Sequence, residues 1–347
     1  MKLQTFFACA LSAITISGAE YYVDISRNEP GTGTREKPFS QFYQAASKVK
    51  PGDTIFLVPK EKPVFQKNAN LLIVNLKGTE EKPITIDGQM IIITGAKRAV
   101  EPEWTAEKDG IYSKAIKTDD IRFFMTFNGK LERMGRLSKW NRTPLKSKDD
   151  LKEFEWTIQN GIVFFRLPAG KTLADIIVEY PVTSNGISIG GKTTQNLIIK
   201  NIIAQNFLND GFNIHQKCIN IHFENIAALE CGDDGLSAHT ASLITVKNFV
   251  SWNNSVGICH VGKMTVSRQE NVLLSHNASR DIFCLNPDNI FRNLVVYRKS
   301  PGGVDQKNCS FENCWIDTME SQEKQTVIIE NLKRVFADKL PDKVWKR

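Results

Sequence analysis

Asp210, Asp233, Asp234, His215, His239 and His260 fall in one stretch, 209–262, and each belongs to a polar turn running into a short alternating strand. The turns are Asn-Asp-Gly-Phe-Asn-Ile-His (209–215), Gly-Asp-Asp-Gly-Leu-Ser-Ala-His (232–239) and Val-Gly-Ile-Cys-His-Val-Gly (256–262). They recur at roughly 22–25 residues, the period of a solenoid, which stacks like residues on like turns. With Phe212, Leu236 and Cys259 set inward, the outward column reads Asn213, Ser237, His260. The next outward column reads His215, His239, Gly262, and Asp210 stacks on Asp234. Turns about 4.8 Å apart place the two carboxylates where they repel. Either a Ca²⁺ with oxygen ligands at about 2.3–2.6 Å bridges them, or one keeps a proton and becomes a general acid. A histidine, with its ordinary pKa near 6.5, already suits a general base. That role falls to His260, flanked by His215 and His239, with Lys263 three residues on. Asp before Gly is also favoured in turns for backbone reasons alone, so a purely structural column stands beside these readings.

Two reactions follow from the two options. A uronic acid held through its carboxylate on a cation has an acidified ring proton; a base removes it and the glycosidic oxygen leaves, a β-elimination. Alternatively, two carboxylates among Asp210, Glu230, Asp233, Asp234 and Asp281 act as acid and nucleophile about 5 Å apart, or as an acid–base pair farther apart, and hydrolyse the bond. Neighbouring turns supply either distance. Carbohydrate binding without catalysis is the third reading. Arg280 either grips a substrate carboxylate through two parallel hydrogen bonds or pairs with Asp281. The stretch 130–148 is rich in Lys and Arg, with Glu132 its only acid before Lys148. It reads as a solvated loop or as a basic wall beside a groove, with Trp140 as a sugar-stacking platform.

These side chains need a scaffold of short strands repeated without intervening helices. Only a parallel β-solenoid buries one face of such strands. The fold expected is all-β: a right-handed parallel β-helix with an N-terminal capping helix and an inserted small β subdomain. The expected boundaries are a signal peptide at 1–19, the cap and first turns at 20–96, the insertion at 97–182 and the main coil with its C-terminal cap at 183–347. Asn201, Asn225, Asn248, Asn271, Asn293, Asn313 and Asn331 recur in the second strand of each turn and are expected to form a structural ladder. Phe39, Phe42, Ala45, Ala46 and Val49 have helical spacing over 40–49, with Ser40 as N-cap, and that helix would cover the open end of the sheets. Phe127-Asn128-Gly129-Lys130 reads as a hairpin turn inside the insertion. Strands are expected to continue to about 336, with the polar tail 337–347 covering the last turn.

Composition narrows the partners. Of 347 residues 41% are hydrophobic and 24% charged, ordinary for a globular protein. A net charge of +7 suits an anionic partner. No nucleic-acid motif or long basic helix is present, which leaves an acidic polysaccharide as the expected partner of a monomer. Lys2, the apolar run 6–16 and Ser17-Gly18-Ala19 read as a secretory signal cleaved near Ala19, and no later stretch is apolar enough for a membrane span. Cys218, Cys231, Cys259, Cys284, Cys309 and Cys314 all lie in the repeats; export permits disulfides among them, and their repeat-like spacing also suits buried thiols in stacked core positions, the reading favoured.

The chain resembles right-handed parallel β-helix carbohydrate enzymes. The opening Tyr-Tyr-Val-Asp, Lys-Pro-Phe, Lys-Pro-Gly-Asp-Thr-Ile and Gly-Thr-Glu-Glu-Lys-Pro-Ile-Thr-Ile segments look like their first turns. Asp-Asp-Gly (233–235), Gly-Ile-Cys-His-Val-Gly (257–262) and Gly-Val-Asp-Gln-Lys-Asn (303–308) are similar to motifs of family-nine pectate lyases. The insertion looks more like that of some β-helix glycoside hydrolases. The resemblance implies a calcium site at Asp210, Asp233 and Asp234, with Ser237 where the family has a further aspartate. It also implies His260 at the position of the family's catalytic lysine.

Overall fold

The computed structural model describes residues 18–66, 71–136, 143–297, 300–305, 307–316 and 322–346. Its core is a coil of two parallel sheets facing each other. The long sheet runs in the order Glu20–Val23, Thr54–Leu57, Ile84–Thr94, Thr194–Gln205, Lys217–Leu229, Ala241–Trp252, Val266–Ser275, Asn289–Tyr297 and Ser310–Glu312. The short sheet runs Leu72–Val74, Ile187–Gly190, Phe212–Ile214, Asp234–Ala238, Val256–His260 and Arg280–Cys284. Each neighbouring pair in the two sheets is parallel and lies one turn apart, which is the expected parallel β-helix and consistent with its right-handed form. Ile, Phe and Leu side chains from both inner faces fill the space between them, among them Ile86, Ile199, Phe223, Phe212 and Leu236.

Asparagine sets the bends. Asn201, Asn225, Asn248, Asn271 and Asn293 all have φ between 52° and 60°, a left-handed conformation that asparagine tolerates better than most residues. Each kinks a long strand, so the sheet wraps around the core. Their amides also form the expected ladder: Asn225 donates to Asn201 at 2.9 Å, Asn248 to Asn225 at 2.8 Å, Asn271 to Asn248 at 3.1 Å and Asn293 to Asn271 at 3.1 Å. Just before each bend, Asp87, Lys200, Glu224, Lys247, Glu270, Arg292 and Glu312 form a column of alternating sign. Exposed ion pairs contribute little each. Like charges opposite one another are destabilising, however, so the alternation penalises a shift of one turn against the next.

Three terminal expectations change. The first helix is shorter, Phe42–Ala46, and begins at Gln41 rather than Ser40; the Gln44 side chain accepts the Gln41 N–H at 3.1 Å. Phe42 and Ala45 still pack into the end of the coil. Asn331 is not a rung of the ladder, because Gln322–Phe336 is a helix. Ile328, Ile329, Leu332 and Phe336 share one helical face. They cover Ile203, Ala227, Val250, Leu273 and Val295, an apolar strip on the outside of the long sheet. Strand continuation would have left that strip in water.

The chain leaves the coil after Thr94. Ala96–Arg98, Met125–Phe127, Lys130–Glu132 and Val178–Pro181 form one antiparallel sheet, and Thr105–Ala106, Ile111–Ala115, Trp156–Gln159 and Ile162–Arg166 another. They share a core of their own around Trp104, Phe123, Trp156 and Phe165. The Asn128-Gly129 hairpin has φ of 48° and 71° at its two central residues, as a type I′ turn requires. Two insertion arginines dock on the coil. Arg133 is buried and donates to the Cys231 and Asn253 carbonyls at 2.9 and 2.8 Å. Arg122 reaches the corner that carries the acids, and Lys343 from the C-terminal segment ties Gly129 (3.3 Å) to Glu230 (3.2 Å).

Candidate functional site

Four successive turns of the coil pass a left-handed corner, occupied by Asn206, Glu230, Asn253 and His276, before entering the short sheet. The acids sit just past that corner. Asp210 and Asp234 are the last residues before the glycines that open their strands, and Asp233 precedes Asp234. A Cβ on Gly211 would meet the Gly235 carbonyl at 2.9 Å, and one on Gly235 the Gly257 carbonyl at 2.7 Å, so glycine permits the close stacking of these entries. One ligand oxygen from each of Asp210, Asp233 and Asp234 lies within 4.8 Å of the others, and all three residues are buried.

Asp210 is tightly held. Its Oδ1 accepts the Asp234 N–H at 3.0 Å, and its Oδ2 accepts the Ser237 hydroxyl at 2.7 Å and the Asn213 amide. Asn185 does the same one turn earlier, its Oδ1 accepting the Asp210 N–H at 3.2 Å. Burial raises the Asp210 carboxyl above the usual range, opposed by Ser237, the Asp234 N–H, Asn213 and Arg122. Arg122 stands 3.7 Å from Asp233 and binds the Asn209 amide oxygen, yet shares its charge with Asp120 at 2.6 Å. Gly232 makes that approach feasible: a Cβ there would lie 2.1 Å from the Leu208 carbonyl and 2.6 Å from that of Arg122.

The acid nest fits a hard cation. Two oxygens across a Ca²⁺, each about 2.4 Å from it, are about 4.8 Å apart. The carboxylates offer oxygen only, and two further buried oxygens beside them, Asn213 Oδ1 and Ser255 Oγ, have no hydrogen-bond partner among the described residues. Asn213 is bonded to Asp210, and the Ser255 N–H donates to the Asp233 carbonyl at 2.9 Å. Buried polar atoms without partners are uncommon and call for a ligand or water.

The histidines do not join this nest. Ser237 is paired with Cys259 and Ala238 with His260, so His260 points inward and Cys259 outward, the reverse of the arrangement expected from the sequence. A slip of one residue exchanges the faces. His260 is fully buried, its Nε2 2.9 Å from Gln269 Nε2, and burial pushes its pKa down to about 3. The core is polar where it lies: Ser267 and Asn289 follow Ile244 in their column, Gln269 follows Val246, and Thr265 is buried beside them. Cys259 takes the outward place, where burial first and then Asp234, Asp210 and Asp233 hold its thiol protonated.

His215 and His239 do stack, with ring centroids 4.3 Å apart and planes within 4°. Burial lowers the pKa of His215. They lie at the exit of the short sheet, with exposed Lys263, while the acids lie at its entry. Five residues of strand, about 3.3 Å each, put the two groups about 16 Å apart. Arg280 does not pair with Asp281. Its guanidinium lies over the Phe283 ring at 4.8 Å, and Asp281 is buried against Ser300 at 2.8 and 2.9 Å. Glu230 is engaged by Lys343 and Asn253 at the corner. Trp140 lies outside the described residues, as does the expected signal segment up to Ser17. Sequence reasoning missed Arg122, Asn213 and Ser255. Arg122 reaches the acids only through the folding of the insertion, and Ser255 comes opposite Asp233 only in the register of the folded sheet, whereas Asn213 was readable three residues after Asp210.

Fold and site define a parallel β-helix protein with an acidic nest at the entry of its short sheet. No protein-family model matches the chain, and no curated protein matches it. Among solved structures it is similar to one described as XylC in complex with xylose, at 12% identity over 82% of this chain and 67% of that one, with a TM-score of 0.47. It is also similar to the pectate lyase Pel9A, at 12% identity over 88% of this chain and 82% of the other, TM-score 0.32. A rhamnogalacturonan lyase matches at 13% identity over 88% and 89% of the two chains, TM-score 0.33. The fold assignment stands on the strand pairing itself.

Proposed function

We propose that the protein is a secreted, monomeric enzyme that degrades an acidic polysaccharide by β-elimination, with a divalent cation, Ca²⁺, held by Asp210, Asp233 and Asp234. The observation that carries this reading is the all-oxygen nest: three buried carboxylates within 4.8 Å of one another beside two partnerless buried oxygens. A bound cation would neutralise the nest and withdraw charge from a uronate carboxylate, which acidifies the ring proton beside it. Arg122 orients the nest and places positive charge at its rim. The inward turn of His260 removes the expected base from that rim. His215, His239 and Lys263, about 16 Å away, can contact a neighbouring sugar unit but are too far to take the proton acidified at the nest; with Arg280 and Trp140 they stand as groups for the substrate.

A second reading, glycoside hydrolysis, is favoured by one observation. Asp210 is raised by burial while other carboxylates stand within 4.8 Å of it, close to the spacing of about 5–5.5 Å used by retaining enzymes. One experiment separates the two. The full chain is incubated with pectate, alginate and glycosaminoglycans, with Ca²⁺ or with a chelator. Ca²⁺-dependent ultraviolet absorbance from unsaturated sugar ends is expected. New reducing ends without that absorbance would replace elimination by hydrolysis, and neither signal would remove the enzymatic reading.

A further inference from the structure

We propose that the outer face of the long sheet carries a second carbohydrate site, where Lys247, Arg268 and His222 bind the carboxylate of an acidic sugar. A cavity of about 210 Å³ opens there, on the opposite sheet from the acid nest. His222, Thr245 and Arg268 stand on three consecutive turns in one column, and Lys247 lies two residues along from Thr245 in the next. The cavity is lined by three cationic side chains, Lys247, Arg268 and Arg292, against one acid, Glu270. Arg292 is committed to Glu312 at 2.7 Å. Lys247 and Arg268 are exposed, and neither has an ion pair or hydrogen bond among the described residues. The alternating column explains Lys247 and Arg292, but Arg268 belongs to the neighbouring column and has no such role.

The groups offered are donors. Lysine and arginine carry no acceptor, and a guanidinium matches a carboxylate with two parallel N–H groups. His222 is half-buried with its Nδ1 2.7 Å from Thr245 Oγ1; in the tautomer where the Thr245 hydroxyl donates to Nδ1, the Nε2–H is left to donate to a carboxylate. The cavity is smaller than the roughly 300–1,000 Å³ that encloses a drug-sized ligand, so it suits one anionic sugar rather than a buried chain. The choice of a sugar carboxylate, and only that, rests on the acidic-glycan reading above. Two sites on opposite faces of one coil would hold a polymer at two points and raise its effective concentration at the nest.

The probes are galacturonate, galactose and inorganic sulfate, titrated into the full chain while the His222 imidazole signals, assigned with a His222→Gln variant, are followed by NMR. Galacturonate is expected to shift those signals and galactose to leave them. The Lys247→Ala/Arg268→Ala protein is expected to keep its urea midpoint and lose galacturonate affinity at least tenfold. No shift with galacturonate, an equal shift with galactose, equal or tighter binding of sulfate, or an unchanged affinity in the double variant would each overturn the proposal. Activity on polyuronate is read separately. An inactive protein that binds galacturonate here keeps this site and loses the lyase reading, and an active protein without the shift does the opposite.

Discussion

Ala238 stands opposite His260 across neighbouring strands of the short sheet, which makes His260 a core residue. The cause is the corner before it. Four residues separate Gln205 from Asp210, and four separate Leu229 from Asp234, but only Asn253, Asn254 and Ser255 separate Trp252 from Val256. Asn254 braces this corner: its Oδ1 accepts the Cys231 N–H at 2.8 Å, and its Nδ2 donates to the Ala228 carbonyl and Ser251 Oγ, each at 2.8 Å. One residue fewer in a loop exchanges the two faces of the strand that follows.

A buried neutral His260 makes the fold acid-sensitive. Its folded pKa, about 3, lies below the ordinary 6.5, so the unfolded chain takes up this proton first. The stability tied to the neutral ring is complete above pH 6.5 and is lost as pH falls from 6.5 toward 3. His260→Gln, which keeps a polar group for Gln269, is expected to lose less stability than the parent between pH 7.5 and pH 4.5. Urea midpoints at the two values check this, and parallel losses in both proteins would show that His260 ionises outside the core.

The cation nest predicts ligand-linked stability. A ligand at about 100 times its Kd adds roughly 2.7 kcal/mol to the folded state. Ca²⁺ is therefore expected to raise Tm in the parent and to have little effect on Asp233→Ala or Asp210→Asn. Calorimetric scans with Ca²⁺ and with chelator decide the matter. A parent Tm indifferent to the ion would sink the metal assignment.

The asparagine ladder does two jobs that can be separated. Asn248, with φ of 60°, donates to Asn225 and accepts from Asn271. Asn248→Ala loses both bonds, about 1 kcal/mol each, and adds left-handed strain of about 1–3 kcal/mol. Asn248→Gly loses the bonds without the strain. The order of stability expected in denaturant titration is parent, then Gly, then Ala; equal losses for Gly and Ala would mean that the corner carries no strain.

Gly232 links insertion to nest. Gly232→Ala brings a methyl against the Leu208 and Arg122 carbonyls. Arg122 should withdraw from Asp233, and both Tm and Ca²⁺ response should change. A crystal structure of the variant with Arg122 still 3.7 Å from Asp233 would contradict this.

The sequence alone determined the repeat, the asparagine ladder, the resumption of the coil near 185 and the acids that meet at its entry, because these depend on recurrence and on local turn chemistry. Asp210, Asp233 and Asp234 could be grouped from spacing, since consecutive turns must lie side by side. Spacing could not orient His260. A ladder counted from Asn225 to Asn248 measures one sheet, and the shortened corner after Trp252 changes the register only in the other. Nor could it reveal that Gln322–Phe336 would be helical, since that choice depends on an apolar strip outside the long sheet. Arg122 came to the nest by tertiary structure alone: the insertion folds on its own core, and the bare Gly232 lets it settle against the corner. Stacking between adjacent turns is set by local sequence, whereas the face a strand presents and the groups that cross from another sheet depend on every residue counted between them.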